Sequence, residues 1–290
     1  MVDFLQFVVN GMMIGGVYAL IALGIVLICK SSAIFNFAVG EMTMVGAFLM
    51  WTFFDVLGLP FFVSIALTLI GSGFLGFIMQ RLAIQPLIGQ PLLSAMLVTL
   101  GLSYILKGVS TLAWGNTTER ISATIGGKPL FLGSIIIQSD LLICFVAASL
   151  IFIFFFFFYK YTDIGLAMQA VAEDHRTAQA RGINVRKTFA IVWFIAGVIS
   201  CIGGILLGFR LGVTQFLSLV GLKAFPAVLF GGVDSMVGAF IGGLIVGILE
   251  SLGGGYIAPW IMEPIPYIIL LVVLIFRPEG LFGLKRIERI

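Results

Sequence analysis

Charge is what this sequence has least of: 10% of its 290 residues are Asp, Glu, Lys or Arg, and His175 is its single histidine. A soluble domain carries about 25% charged residues, so this chain lacks the polar side chains that would cover its surface with water. Three cysteines, Cys29, Cys144 and Cys201, lie within or beside apolar runs without C-x-x-C or Cys/His spacing. That excludes a metal site or disulfide framework legible from spacing, and buried thiols are expected. No G-x-x-x-x-G-K-[ST] phosphate loop is present; Gly126-Gly127-Lys128-Pro129 lacks both the upstream glycine and the hydroxyl residue that would hold magnesium. The chain therefore has no means of its own to burn ATP. With no nucleophile elbow and no paired-histidine motif, we expect no catalytic residue, no bound metal and no cofactor. The net charge of +3 fits basic loops on the inner side of a membrane better than a nucleic-acid surface.

What is present is apolar: 61% of the residues, with a mean hydropathy of +1.20. The runs 4–29, 141–159 and 189–209 hold no Asp, Glu, Lys, Arg or His. A bilayer core of about 30 Å needs about 20 apolar residues per helix, so these three runs fix the class as an all-α polytopic transmembrane bundle. The first run is too long for a signal peptide and no basic segment precedes it. Nine spans are expected, near 4–29, 33–54, 59–79, 92–113, 134–159, 188–209, 215–231, 236–257 and 261–276, with one either way. The piece 215–231 carries Lys223 and Pro226 and reads as broken or re-entrant. No soluble linker interrupts the series, so residues 1–290 are read as one transmembrane domain with a cytoplasmic segment at about 160–187.

Basic residues beside spans set orientation. Lys160, Arg176, Arg181, Arg186 and Lys187, with Arg277, Lys285, Arg286 and Arg289 in the tail, place both regions in the cytoplasm. Counting back puts Lys30 and Arg81 inside, Asp55, Asp140 and Glu263 outside, and the N-terminus outside; Arg120 and Lys128 then fall on the side the rule disfavours. Glycines stand four apart at Gly11/Gly15, Gly204/Gly208, Gly238/Gly242 and Gly243/Gly247, the pattern of close helix packing in lipid. Met-Val-Gly-Ala-Phe occurs at 44–48 and 236–240, shortly after Glu41 and Asp234, as an internal repeat would have it. The phenylalanine run 154–158 is expected to face lipid.

Glu41 is the most informative residue. A carboxylate inside a run fit to cross a membrane should face a cavity or a partner, or else reach the interface. Asn36 and Gly40 beside it point to an interrupted helix, and Lys223 with Pro226 to broken backbone that would line a path. Lys107 can reach the interface along its own stem. The segment 163–187 reads as an amphipathic helix capped by Thr162 or Asp163 and stopped at Gly182, lying on the membrane or docking into a partner's groove, with His175 on its polar face.

In order, Asn36-Phe37-Ala38-Val39-Gly40-Glu41, Thr99-Leu100-Gly101-Leu102-Ser103, Ala172-Glu173-Asp174 with Ala180-Arg181-Gly182-Ile183-Asn184, Gly221-Leu222-Lys223-Ala224-Phe225, Gly231-Gly232 and Arg277-Pro278-Glu279-Gly280-Leu281-Phe282-Gly283 resemble the permease subunits of branched-chain amino-acid ABC importers, the shorter of the two permease types. The resemblance implies a translocation path for branched-chain or other hydrophobic amino acids, working by alternating access in the cell's inner membrane. It implies as partners a second homologous permease, two ATP-binding-cassette subunits that use the ATP, and an extracytoplasmic binding protein. Ala172, Glu173, Asp174, Ala180, Arg181 and Gly182 then resemble the segment that couples to the ATPase. Val39 stands where the family often has His, and Asp234 where Gly is common. A urea or short-amide permease of the same importer class is the alternative. An ion-coupled secondary transporter fits less well, because several buried ionisable groups are not evident.

Overall fold

The structure, a computed structural model, describes residues 2–87, 90–123, 126–277 and 279–283. Pro278 of the Arg277–Gly283 motif and the basic residues Lys285, Arg286 and Arg289 lie outside the described residues. The centre of the bundle is α1 (Val2–Ser32), a 31-residue helix buried over most of its length. At 1.5 Å per residue it spans about 46 Å, more than a bilayer core. Along it runs α11 (Met236–Tyr256) in the opposite direction, with Gly11 against Gly247 and Gly15 against Gly243. Lipid tails are as apolar as leucine, so nothing squeezes two such helices together except contact itself, and glycine brings the backbones close enough to make it. A Cβ on Gly243 would stand 2.6 Å from the Ala19 nitrogen.

Around this pair stand α2 (Val39–Trp51, continued by a wider π turn to Val56), α3 (Phe61–Met79), α4 (Leu92–Trp114), α5 (Ser139–Tyr161) and α8 (Val185–Leu211). α8 packs on α2 through Gly204 and Gly208, which meet Thr43 and Ala47. The short helices α6 (Asp163–Glu173) and α7 (His175–Ala180) sit between α5 and α8. The span expected at 215–231 is two helices, α9 (Leu217–Leu222) and α10 (Ala224–Gly231), and α12 (Ile265–Phe276) closes the series. Among the described residues seven helices are long and apolar enough to cross a membrane; Leu217–Gly231 and Ile265–Phe276 are apolar but shorter. All nine lie where apolar runs placed them. The only sheet among the described residues is a hairpin of β1 (Leu130–Leu132) and β2 (Ile135–Ile137), turned at Gly133.

The two ends of the bundle are distinct. At one, Gln6 exchanges hydrogen bonds with the Ile136 backbone at 2.7 and 2.8 Å, the Ser122 amide donates to Asp55 at 2.9 Å, Glu119 pairs with Val213, and Phe7 meets Tyr256. At the other, the Lys30 ammonium lies over the Tyr159 ring, and the Leu281 amide donates to the Phe230 carbonyl. The alternation inferred from charge is thus the alternation of the fold, with Arg120 on the N-terminal end beside Glu119. Leu112 is 91% exposed and Phe62 81%, so the flanks of α3 and α4 are apolar and uncovered, as a lipid-facing or partner-facing wall requires. Within the phenylalanine run the expectation of lipid contact holds for Phe154 and Phe157, which are exposed, whereas Phe155 and Phe156 pack against the core.

Candidate translocation path and docking segment

Regular helix fails at two places inside the bundle, and they touch. Between α1 and α2, residues 33–38 are irregular, with Ala33 at φ +56°. The interruption expected near Asn36 and Gly40 therefore lies just before α2, and Gly40 is in its first turn. Asn36 is wholly buried; its side-chain oxygen accepts from the Ala38 amide at 3.0 Å and its amide contacts the Met42 sulfur. Thr99 of α4 holds the same stretch from the other side: its hydroxyl lies 3.1 Å from the Phe35 carbonyl and accepts from the Phe37 amide at 3.3 Å. A buried irregular backbone needs such partners for groups that no helix satisfies, which gives the Thr99–Ser103 motif a physical task.

The second break is at Lys223, which ends α9 and starts α10. Pro226 falls in the first turn of α10, where a missing N–H removes no helix bond, so it starts a helix rather than kinking one. The breaks meet at Gly40: a Cβ there would collide with the Ser218 carbonyl, and one on Gly221 would lie 2.6 Å from the Gly40 Cα. Phe37 and Phe225 stack across the same junction at 5.1 Å. Asn36, Gly40 and Pro226 thus belong to one junction in the bundle.

The two charges anticipated there have different partners. Glu41 is buried on α2, faces Ser103 and Lys107 of α4, and leaves Oε2 without a hydrogen bond. Lys223 turns to α11 instead, donating to Glu250 at 2.6 Å with both side chains largely buried. Beside that pair a cavity of about 250 Å³ is lined by Tyr18 of α1, Cys144 of α5, Arg210 of α8, Lys223 and Glu250. The expected scarcity of buried ionisable groups is therefore corrected. Glu250 and Arg210 were missed, although a charge inside the apolar run 236–257 and one beside 188–209 carry the same signal that singled out Glu41. Among the described residues no three His, Cys, Asp or Glu side chains cluster as metal ligands.

The segment between α5 and α8 is not one helix but two. Thr162 caps α6, accepting from the Gly165 amide at 3.0 Å; Asp174 then interrupts it with extended backbone (φ −156°) and caps α7, accepting from the Arg176 amide at 2.9 Å and from the Thr177 hydroxyl at 2.6 Å. An Asp inside a helix competes for backbone donors, which is why it opens a new one here. The Thr177 hydroxyl, with the Arg176 amide, holds the Asp174 carboxyl below its ordinary range. Val171, Ala178 and Phe189 form a small core beneath, and the His175 imidazole stacks edge-on against Phe189 with Nδ1 2.6 Å from the Val171 carbonyl.

Gly182 follows at φ +86° with no atom near where a Cβ would stand, and Asn184 caps α8 from the Lys187 amide at 3.0 Å. Ala172 is half-buried, while Glu173, Asp174, Ala180, Arg181 and Gly182 are exposed. Between α7 and the turn lies an open groove of about 670 Å³ lined by His175, Gln179, Gly182, Ile183, Asn184 and Arg186 among others.

A family model described as "Branched-chain amino acid transport system / permease component" matches residues 7–276. The high-affinity branched-chain amino acid transport system permease protein BraD of Pseudomonas aeruginosa is 29% identical over 301 residues, covering 99% of this chain and 98% of that protein. The corresponding LivH of Escherichia coli K12 is 29% identical over 304 residues, with the same coverage. The probable branched-chain amino acid transport permease protein LivH of Methanocaldococcus jannaschii is 28% identical over 296 residues, covering 93% of this chain and 90% of that one.

Proposed function

This chain belongs to the permease family of branched-chain amino-acid transport systems, and from that premise we propose that it forms half of the membrane path of an importer driven by separate ATP-binding-cassette subunits. The observation that carries the reading is the α6–α7 segment with Gly182. It stands at the end of the bundle that holds Lys30 and Lys160, presents an open groove, and belongs to a chain with no phosphate loop of its own. On this reading motion is supplied from outside, and the α6–α7 segment with its groove is where a nucleotide-driven partner would seat. The remaining partners are a second, homologous permease against the uncovered apolar flank and an extracytoplasmic binding protein at the Gln6–Ile136 end. The chain would sit in the cell's inner membrane, need no cofactor, and carry branched-chain or other hydrophobic amino acids by alternating access. Asn36, Gly40, Glu41, Lys223 and Pro226 would then border or shape the path.

The test is assembly followed by transport. A tagged chain should co-purify with two ATPase subunits and a second permease, and proteoliposomes of that complex with its binding protein should concentrate L-leucine only when ATP is present on the α6–α7 side. Uphill uptake by this chain alone, or uptake of urea in preference to aliphatic amino acids, would overturn the reading.

A further inference from the structure

We infer that the cavity between α1, α5, α8, α9 and α11 is a binding site for the zwitterionic head and aliphatic tail of a free amino acid, with Arg210 as the carboxylate anchor and Glu250 as the ammonium acceptor. The inference rests on the proposed transport of hydrophobic amino acids and names the place inside this chain where one is held.

Two atoms carry the argument. Arg210 Nη1 and Glu250 Oε2 are both buried and both without a hydrogen-bond partner, and both residues line the cavity. A buried charge keeps its full desolvation penalty unless its hydrogen-bonding capacity is met, so a guanidinium and a carboxylate that line one cavity, each with an unmet hydrogen-bonding atom, describe the complement of their occupant. That occupant offers an anion to one and a cation to the other. Lys223 already occupies the other oxygen of Glu250 at 2.6 Å and the Tyr18 side chain stands beside the carboxylate, which fixes Glu250 in orientation.

The rest of the wall is apolar, with Val17, Leu141, Leu206, Val220 and Met262 beside the polar groups, and accepts a branched hydrocarbon tail. A volume of about 250 Å³ is room for one small solute. The placement suits a carrier. Arg210 is one residue from the end of α8 on the side of the Glu119–Val213 bridge, and Lys223 is the break between α9 and α10. The site thus joins one end of the bundle to the place where its backbone is interrupted.

Formal charge ranks the two contacts. Arg210 and Lys223 contribute two positive charges against one negative on Glu250, so the empty cavity is net positive and its ligand's carboxylate is the stronger anchor. L-Leucine should bind best, 4-methylpentanoate, which lacks the ammonium group, more weakly, and 3-methylbutylamine, which lacks the carboxylate, least.

The experiment is equilibrium binding of radiolabelled L-leucine to the purified complex of permeases and ATPases without the binding protein, with the two analogues as competitors. A charge-assisted hydrogen bond to a ligand is worth about ten- to a hundredfold in affinity. Arg210→Gln should lower L-leucine affinity by about that factor and Glu250→Gln by a smaller one, with complex assembly unchanged on gel filtration. The analogue series on the unmodified complex reads the same question if either variant fails to assemble. Competition by 3-methylbutylamine equal to that of L-leucine, affinity within twofold in Arg210→Gln, or no saturable L-leucine binding up to about 10 mM would overturn the site. If the complete transporter still imported L-leucine in any of those cases, the transport reading would stand. If the complete wild-type transporter imported no aliphatic amino acid, that reading itself would fall.

Discussion

The Lys223–Glu250 pair makes a sharp prediction because its two partners should behave differently when removed singly and together. At 2.6 Å, with side chains 14% and 7% exposed, the Coulomb attraction is about 6 kcal/mol at an effective dielectric constant of about 20. Desolvating each ion costs several kcal/mol, so the pair contributes little net stability. Lys223→Met then leaves the Glu250 carboxylate buried without its ion-pair partner, at a cost of about 3–5 kcal/mol. The double replacement Lys223→Met/Glu250→Met removes both charges and should melt within about 1 kcal/mol of wild type. The assay is thermal melting of the purified chain in one detergent, read by the monodisperse fraction on size exclusion, for wild type, both single variants and the double. The expected order is wild type close to the double variant, with both single variants well below. A double variant no more stable than Lys223→Met would refute the reasoning, because the cost would then lie in lost shape rather than in an uncompensated charge.

Three further outcomes follow from the same geometry. Gly243→Ala pushes a methyl against Ala19 and should destabilise by about 1–3 kcal/mol, whereas Gly101→Ala on α4, with nothing within 4 Å of its Cβ, should stabilise by up to about 1 kcal/mol through helix propensity; melting of the two variants side by side checks the pair. Gly182→Pro, forced to φ near −65° where the chain needs +86°, should abolish ATP-driven uptake with membrane insertion intact, while Gly182→Asn, which tolerates the left-handed region, should retain it. The Asp174 carboxyl is held below its ordinary range, so its cap on α7 is fully present above the unfolded value near 4 and is lost as pH falls through the lowered folded value. Hydrogen exchange at the Arg176 and Thr177 amides should therefore be flat from neutral pH to about 5 after correction for intrinsic rates, faster below, and fast throughout in Asp174→Ala.

What could be read from residue order alone was the class, the nine apolar segments and the alternation of ends, because these follow from run length and charge placement, which are one-dimensional. The break at Lys223 was legible too, since a cation and a proline within one short apolar run are poorly suited to an unbroken crossing helix. The glycine pairs announced close packing but not who packs on whom: Gly11 and Gly15 meet Gly247 and Gly243, and Gly40 meets Gly221, across separations no local pattern encodes. Asp174 was read as part of a helix face, yet its side chain took the backbone donors of the next turn and split the segment. Glu250 and Arg210 stood in plain view as charges in or beside apolar runs. Their significance is relational, arising only when α8, α9 and α11 bring them to one cavity with Lys223.

The position of α8 gives these sites a mechanical relation. Its first residues, Val185 and Arg186, line the groove beside α7, and Arg210, near its last, lines the polar cavity. Between them run 27 residues of uninterrupted helix without proline, about 40 Å long. Its central glycines leave no slack for a bend, because Gly203 is filled by Ile21, Gly204 by Thr43 and Gly197 by Ser72. Kinks arise at a proline, a Gly/Ser pair, a wide turn or an inserted group; of these α8 has only its small residues, whose glycines are packed tight, so a force applied at the Asn184 end would reach Arg210 as a displacement of the whole rod. The yielding points must then lie outside it. The fold supplies two in the bundle interior, residues 33–38 and Lys223, where the backbone leaves regular helix and where, through Gly40 and Gly221, the two interruptions lean on each other. A shift of α8 against α2 would be taken up at that junction, so the contact that most needs to slide is the one where neither backbone carries a side chain to hold it.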